Sequence, residues 1–156
     1  MNSKEIICLN FNEIRRRSIK VWIGIPEDKY LWKPDAGAMT CIESIRHIIE
    51  TQYIYQQIVI SQGDVKELIT PWQNKPYMSI QEEIAFASPY HEAFMEVISG
   101  FSEEELEEIE IVRPKVNQKR KLGDYLLRIA YHEAIHTGQL LSYLRAMDVN
   151  RPGIWD

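Results

Sequence analysis

A hydrophobic period of about 3.6 residues, repeated in four long segments, constrains this chain more than any other feature. The first segment, about residues 4–23, carries Ile7, Phe11, Ile14, Ser18, Val21 and Ile25 along one stripe with Trp22 beside it. Glu13, Arg15, Arg16 and Lys20 are assigned to its wet side, and Pro26 helps to close it. Thr40-Cys41-Ile42-Glu43 opens the second segment as a capping box, in which a hydroxyl and a carboxylate satisfy backbone amides left over at a helix start. It runs to about Gln62 with Ile42, Ile45, Ile49, Tyr53 and Ile60 on the buried side and Gly63 as its stop. Ser79-Ile80-Gln81-Glu82 is a second box and starts a third stripe of Ile80, Ile84, Ala87, His91, Phe94 and Ile98. Pro89 falls inside it and is expected to kink the helix or divide it at Ser88. The fourth segment, about residues 122–147, turns Leu122, Leu126, Ile129, His136, Leu140 and Leu144 inward.

Two long connections separate these segments. Residues 64–78 contain Pro71, Trp72, Pro76 and Tyr77, a stretch well beyond the usual ~4–6 residues of a compact domain. Residues 101–121 open on a short helical turn at Ser102-Glu103-Glu104-Glu105, then alternate briefly like an extended piece over residues 108–112. The basic run from Lys115 to Lys121 reads as a solvated loop. Four amphipathic helices without a convincing strand predict an all-α four-helix bundle, folded as one domain over residues 1–156.

The chemistry of the chain is concentrated in Tyr131-His132-Glu133-Ala134-Ile135-His136-Thr137-Gly138-Gln139. Two of only four histidines stand four apart there. On an α-helix such residues differ by about 40° in direction and roughly 6 Å in rise, so both rings face one way and can grip a single ion. Both flank Glu133, which also fits the H-E-x-x-H pattern of zinc proteases. That reading needs a third ligand downstream and a sheet edge for the peptide. The twenty residues after His136 hold no His or Glu, only Asp148 and Asp156.

His47, on the inward side of the second segment with Ile54 and Ile58, is the better third ligand. Three imidazoles leave positions open for water or a substrate, as catalytic sites do. The bland alternative is a set of half-buried histidines, each bonded to its own neighbours. His91 is read as a pocket contact or, more plainly, a satisfied core or rim histidine. Glu133 can fix a ring tautomer, act as a general base or stand as an exposed carboxylate; Gln139 can orient a ring or simply pack.

A net charge of −5 gives no electrostatic case for nucleic acid. The N-terminus lacks a signal-peptide pattern and no apolar run approaches the ~18 residues of a membrane span. Two cysteines, Cys8 and Cys41, are too few for a disulfide framework and suggest free, reduced thiols in a cytoplasm; the expected partner is a small-molecule substrate.

The chain resembles the DinB family of DinB/YfiT-like metalloenzymes. The likeness lies in Ile129-Ala130-Tyr131-His132-Glu133-Ala134-Ile135-His136-Thr137-Gly138-Gln139-Leu140, in Tyr143-Leu144-Arg145, and in the tail Pro152-Gly153-Ile154-Trp155-Asp156. Leu31-Trp32-Lys33-Pro34, Ser44-Ile45-Arg46-His47-Ile48 and Leu122-Gly123-Asp124 support it. The resemblance implies a four-helix bundle, often a homodimer, with nickel or zinc held by His47, His132 and His136. Relatives in that family include enzymes that join or isomerise substrates using low-molecular-weight thiols such as bacillithiol, mycothiol or glutathione. A thiol S-transferase is therefore the leading expectation; a metal-dependent hydrolase that activates water and a non-catalytic metal-binding stress protein are the alternatives. Ile135 and Thr137 depart from the family pattern, which often has His before the last ligand and a basic residue after it.

Overall fold

The computed structural model describes residues 1–156. Four long helices dominate: α1 (Ser3–Ile23), α2 (Cys41–Ser61), α3 (Ile80–Gly100) and, after the short α4 (Glu103–Glu108), α5 (Leu122–Ala146). Capping boxes start α1 at Asn2, α2 at Thr40, α3 at Ser79 and α4 at Ser102, so two amides at each of these starts are satisfied locally, and at α1 Glu103 takes the Ser3 and Lys4 amides as well. The long helices form a closed ring of contacts, with α1 against α5 and α3, and α2 likewise against α5 and α3.

The interior divides into two apolar clusters. One gathers Ile7, Phe11, Phe94, Ile98, Leu122, Tyr125 and Leu126; the other gathers Trp22, Ile42, Ile45, Ile49, Trp72, Leu140 and Leu144. Between these clusters lies a belt of polar side chains, and the histidines belong to that level.

The fold is mostly helical rather than all-α. β1 (Glu110–Arg113) pairs antiparallel with β2 (Gln118–Lys121), placing Glu110 opposite Lys121 and Val112 opposite Lys119. The basic run is thus partly a strand: Lys115 sits in a short 3-10 turn, Pro114–Val116, and Lys119, Arg120 and Lys121 lie on β2. Its outer face stays wet while Lys119 and Lys121 pair with Glu110, which removes the need for an apolar pattern.

Three further expectations are corrected. Pro89 does not divide α3, which runs unbroken from Ile80 to Gly100. Pro89 and Ala85 both face solvent, so water can serve the carbonyl that proline leaves without a donor. α2 stops before Gly63 as expected, with the left-handed turn falling on Gln62 at φ 52°. Glycine is needed at 63 because a Cβ there would lie 2.5 Å from the Val112 carbonyl oxygen. Ile60 is exposed, since the end of α2 turns Ile58 and Val59 to the core instead. Arg15 is buried, not on the wet side, because Glu133 meets it there.

The connection between α2 and α3 is irregular but firmly held. Arg46 donates to both oxygens of Glu83, at 2.8 Å from Nε, and also to the carbonyls of Lys75 (3.0 Å) and Pro76 (2.8 Å). Glu83 in turn accepts the Met78 amide at 3.0 Å. Both partners are buried, so the pair clamps residues 75–78 against α2 one position before His47.

Candidate metal centre

α2 and α5 lie side by side, and the inward faces of both bring histidines to one point. His47 Nε2 stands 3.2 Å from His132 Nε2, although 85 positions separate them. His136 completes the group: one ligand atom from each of the three rings falls within 4.8 Å of the others. Ring centroids are 5.1 Å apart for His47–His132, 4.8 Å for His47–His136 and 4.5 Å for His132–His136. The i, i+4 spacing supplies the last pair, as helix geometry requires.

The rings suit a divalent ion on three counts. Tetrahedral nitrogens at 2.0–2.1 Å from zinc sit about 3.3 Å from one another, close to the separation of His47 and His132. The outer nitrogens of two rings are committed. His136 Nδ1 donates to Gln139 Oε1 at 2.8 Å, and His47 Nδ1 makes a longer contact of 3.4 Å with Thr51 Oγ1. The Gln139 oxygen only accepts, so His136 Nδ1 carries the proton and its Nε2 lone pair is free for a metal; the Thr51 hydroxyl serves His47 Nδ1 in either tautomer. Charge state is the third. Burial, then the neighbouring His136 and His47, push His132 down to about 4. Burial and His136 also hold His47 below its ordinary value, with Glu50 acting in the opposite sense. Both rings are therefore neutral near pH 7, the form that binds metals.

A cavity of about 420 Å³ opens beside His47, lined among others by Lys33, Glu43, Glu50 and Tyr77. Glu43 and Glu50 stand one helical turn to either side of His47, each with one oxygen bonded elsewhere, to the Thr40 amide and the Thr70 hydroxyl. Of the three clustered histidines, His47 is the one that lines this cavity.

Glu133 and His91 lie outside the cluster. Glu133 is buried, which excludes an exposed carboxylate, and its two oxygens take a fork from Arg15 at 2.8 and 2.9 Å. No hydrogen bond joins it to a histidine. His91 donates from Nδ1 to Gln52 Oε1 at 3.0 Å and lines a separate groove of about 520 Å³ with Cys8 and Met95. Cys8 and Cys41 are free thiols, and neither joins the histidine group.

Sequence reasoning did not find Arg15, Gln52 and Thr51. Arg15 had a signal: Phe11, Arg15, Ser18 and Trp22 follow a 4-3-4 spacing, and all four are buried.

No helix is long and apolar enough to cross a membrane. The chain is similar to the uncharacterized protein YjoA of Bacillus subtilis (strain 168), 29% identical over 124 residues, which is 79% of this chain and 77% of that protein. A crystal structure of a DinB-like protein, also YjoA from Bacillus subtilis, superposes with a TM-score of 0.73 at 22% identity, covering 95% of this chain and 96% of the other. At that identity the superposition speaks for the fold alone. Residues 10–140, a span that includes α2, α3 and all three clustered histidines, match the sequence model of the DinB superfamily. The chain belongs to the DinB superfamily.

Proposed function

We propose that this protein is a four-helix bundle of DinB type that holds one divalent ion, zinc or nickel, between His47, His132 and His136. The observation that carries the reading is the 3.2 Å approach of two ring nitrogens from different helices, with the third ring close by. Two facing Nε2 lone pairs repel, so in metal-free rings at that distance one Nε2 must carry a proton and donate it to the other, whereas a cation between them would be held by both lone pairs. Gln139 and Thr51 orient His136 and His47 from their own helices, as partners of metal-binding histidines do.

Three protein ligands leave coordination positions for a substrate. Such an ion would supply Lewis acidity, lowering the pKa of a thiol or a water molecule brought to it. We read the protein as a metal-dependent thiol S-transferase using a low-molecular-weight thiol of the bacillithiol kind, with its active form a homodimer. The adjoining cavity supports a small-molecule substrate: about 420 Å³ accommodates a compact polar thiol, and Lys33 beside Glu43 and Glu50 offers charges of both signs to a zwitterion. For the dimer, the support is an exposed apolar line on α5, Leu127, Tyr131 and Ile135.

The test is direct. Zinc- or nickel-loaded protein is incubated with bacillithiol, mycothiol, glutathione or cysteine and an electrophilic acceptor, and S-conjugates are sought by mass spectrometry. Conjugate formation that depends on the metal and is lost in His132→Ala supports the transferase. Should no thiol bind or react while water-dependent cleavage of esters or amides proceeds, the hydrolase is the better reading. Neither activity, with tight metal binding retained, leaves a metal-binding protein without catalysis.

A further inference from the structure

We infer that Arg15 is a positioning residue for the metal centre, tying both metal-bearing helices to α1 and so setting the angle at which their histidines meet. The inference rests on the metal-binding reading. Its starting point is a regularity in α5: each candidate ligand is followed at once by a buried polar residue, His132 by Glu133 and His136 by Thr137. One residue along a helix is a turn of about 100°. While the two histidines face α2, the two residues after them face α1.

There they meet a matching ladder. Arg15 forks onto Glu133 at 2.8 and 2.9 Å, and Ser18, three residues further along α1, shares a 2.8 Å hydrogen bond with Thr137. Two polar contacts about one turn apart lock α5 against rotation about its axis. The precision matters, because a helix with its side chains has a radius of about 5–6 Å, so a rotation of only about 2° carries a ring nitrogen roughly 0.2 Å, the tolerance of a metal–ligand distance.

The same guanidinium reaches the other rod. Arg15 Nη2 also donates to Gln52 Oε1 on α2 at 3.1 Å, and the same oxygen accepts His91 Nδ1–H from α3. All four long helices therefore meet at one polar node on the core side of the histidine cluster. A buried ion pair is a poor device for stability, since apolar residues of similar volume often serve as well; fixing register is its better-attested use. Trp22, whose ring lies 5.3 Å from the Arg15 guanidinium, supports the node from below.

The double variant Arg15→Met/Glu133→Leu separates positioning from stability, because it replaces the whole pair with apolar side chains and leaves no unpaired charge. Its fold is checked by circular dichroism and its metal site by zinc competition titration and the visible spectrum of the cobalt-substituted protein. The expected result is a folded protein that binds zinc 10–100-fold more weakly, with a changed cobalt spectrum. Wild-type affinity and spectrum in the folded double variant overturn the inference and leave the metal reading standing; a wild-type protein that binds no ion overturns both. Gln52→Leu cuts the α2 arm, and with it the bond from His91 on α3, and keeps the ion pair. Severalfold weaker binding is expected there, and unchanged binding removes α2 from the proposal.

Discussion

His47 and Thr51 stand one turn apart on α2, and the Thr51 hydroxyl contacts His47 Nδ1 at 3.4 Å while Nε2 of the same ring points across to His132. His136 and Gln139 repeat the arrangement on α5 with a shorter bond of 2.8 Å. Each of these helices thus carries a candidate ligand together with the group that aims it. The two orienting bonds differ in length, and that difference has a consequence for metal affinity.

Gln139→Leu removes the shorter of the two and should weaken zinc binding by about 10–100-fold, whereas Thr51→Val should cost less. Competition against a chromophoric chelator measures both. Equal affinities in Gln139→Leu and the wild type would show that the bond has no part in metal binding.

Breaking the Arg46–Glu83 clamp should be among the costliest single changes. Arg46→Met leaves Glu83 buried and unpaired and frees the carbonyls of Lys75 and Pro76, for an expected loss of about 3–5 kcal/mol in urea unfolding. Limited proteolysis should then cut within residues 64–78 first. Arg46→Met/Glu83→Leu should recover most of the loss. A single variant within 1 kcal/mol of wild type would remove the clamp from the account.

Stability should fall as the solution is acidified, and His91 is one cause. Burial, then the nearby Arg15 charge, press His91 down to about 4, with Glu133 opposing them. The unfolded chain takes up that proton near 6.5. Between these values the unfolded state binds more protons, so its population grows as pH drops: the contribution is complete above about 6.5 and lost on approaching 4. In the metal-free protein His132 adds to the same trend. Urea midpoints measured from pH 4 to 7 should show a shallower slope for His91→Gln than for wild type, and parallel slopes would contradict the assignment.

Gly63→Ala tests the junction between α2 and β1. The added Cβ would meet the Val112 carbonyl oxygen, a backbone atom of β1, so the strand must move. A destabilisation of about 1–3 kcal/mol is expected, as for other overpacked sites. Gly138→Ala is the comparison, since open space surrounds that position; it should be neutral or mildly stabilising. Equal effects at the two positions would be inconsistent with the close approach.

The helices were legible because their signals are local. Thr40 with Glu43 and Ser79 with Glu82 announce two starts within four residues each, and both boxes form as expected. The histidine cluster was legible for a similar reason: His132 and His136 are one turn apart whatever else the chain does, and His47 needed only an inward helix face. β2 was hidden because Gln118-Lys119-Arg120-Lys121 has no apolar alternation; charge pairing with Glu110 and the register with β1 hold it, and both are properties of the pair. Arg15 was hidden for a chemical reason. A charged side chain on a buried line is read as solvated until its partner is known, and Glu133 lies 118 positions away. The burial of Ile60 was misjudged because exposure at one side of a helix depends on which neighbour reaches it, and the division expected at Pro89 does not occur because Pro89 and Ala85 face water.

The central claim is that His47, His132 and His136 bind one ion together, and calorimetric titration of zinc into metal-free protein at pH 7.5 tests it most directly. The account predicts one ion per chain in the wild type, and binding at least 100-fold weaker in His132→Ala while its helical circular dichroism is unchanged, because the apolar stripes supply most of the helix stability. Absence of saturable binding in the wild type, or equal binding in the variant, would contradict it.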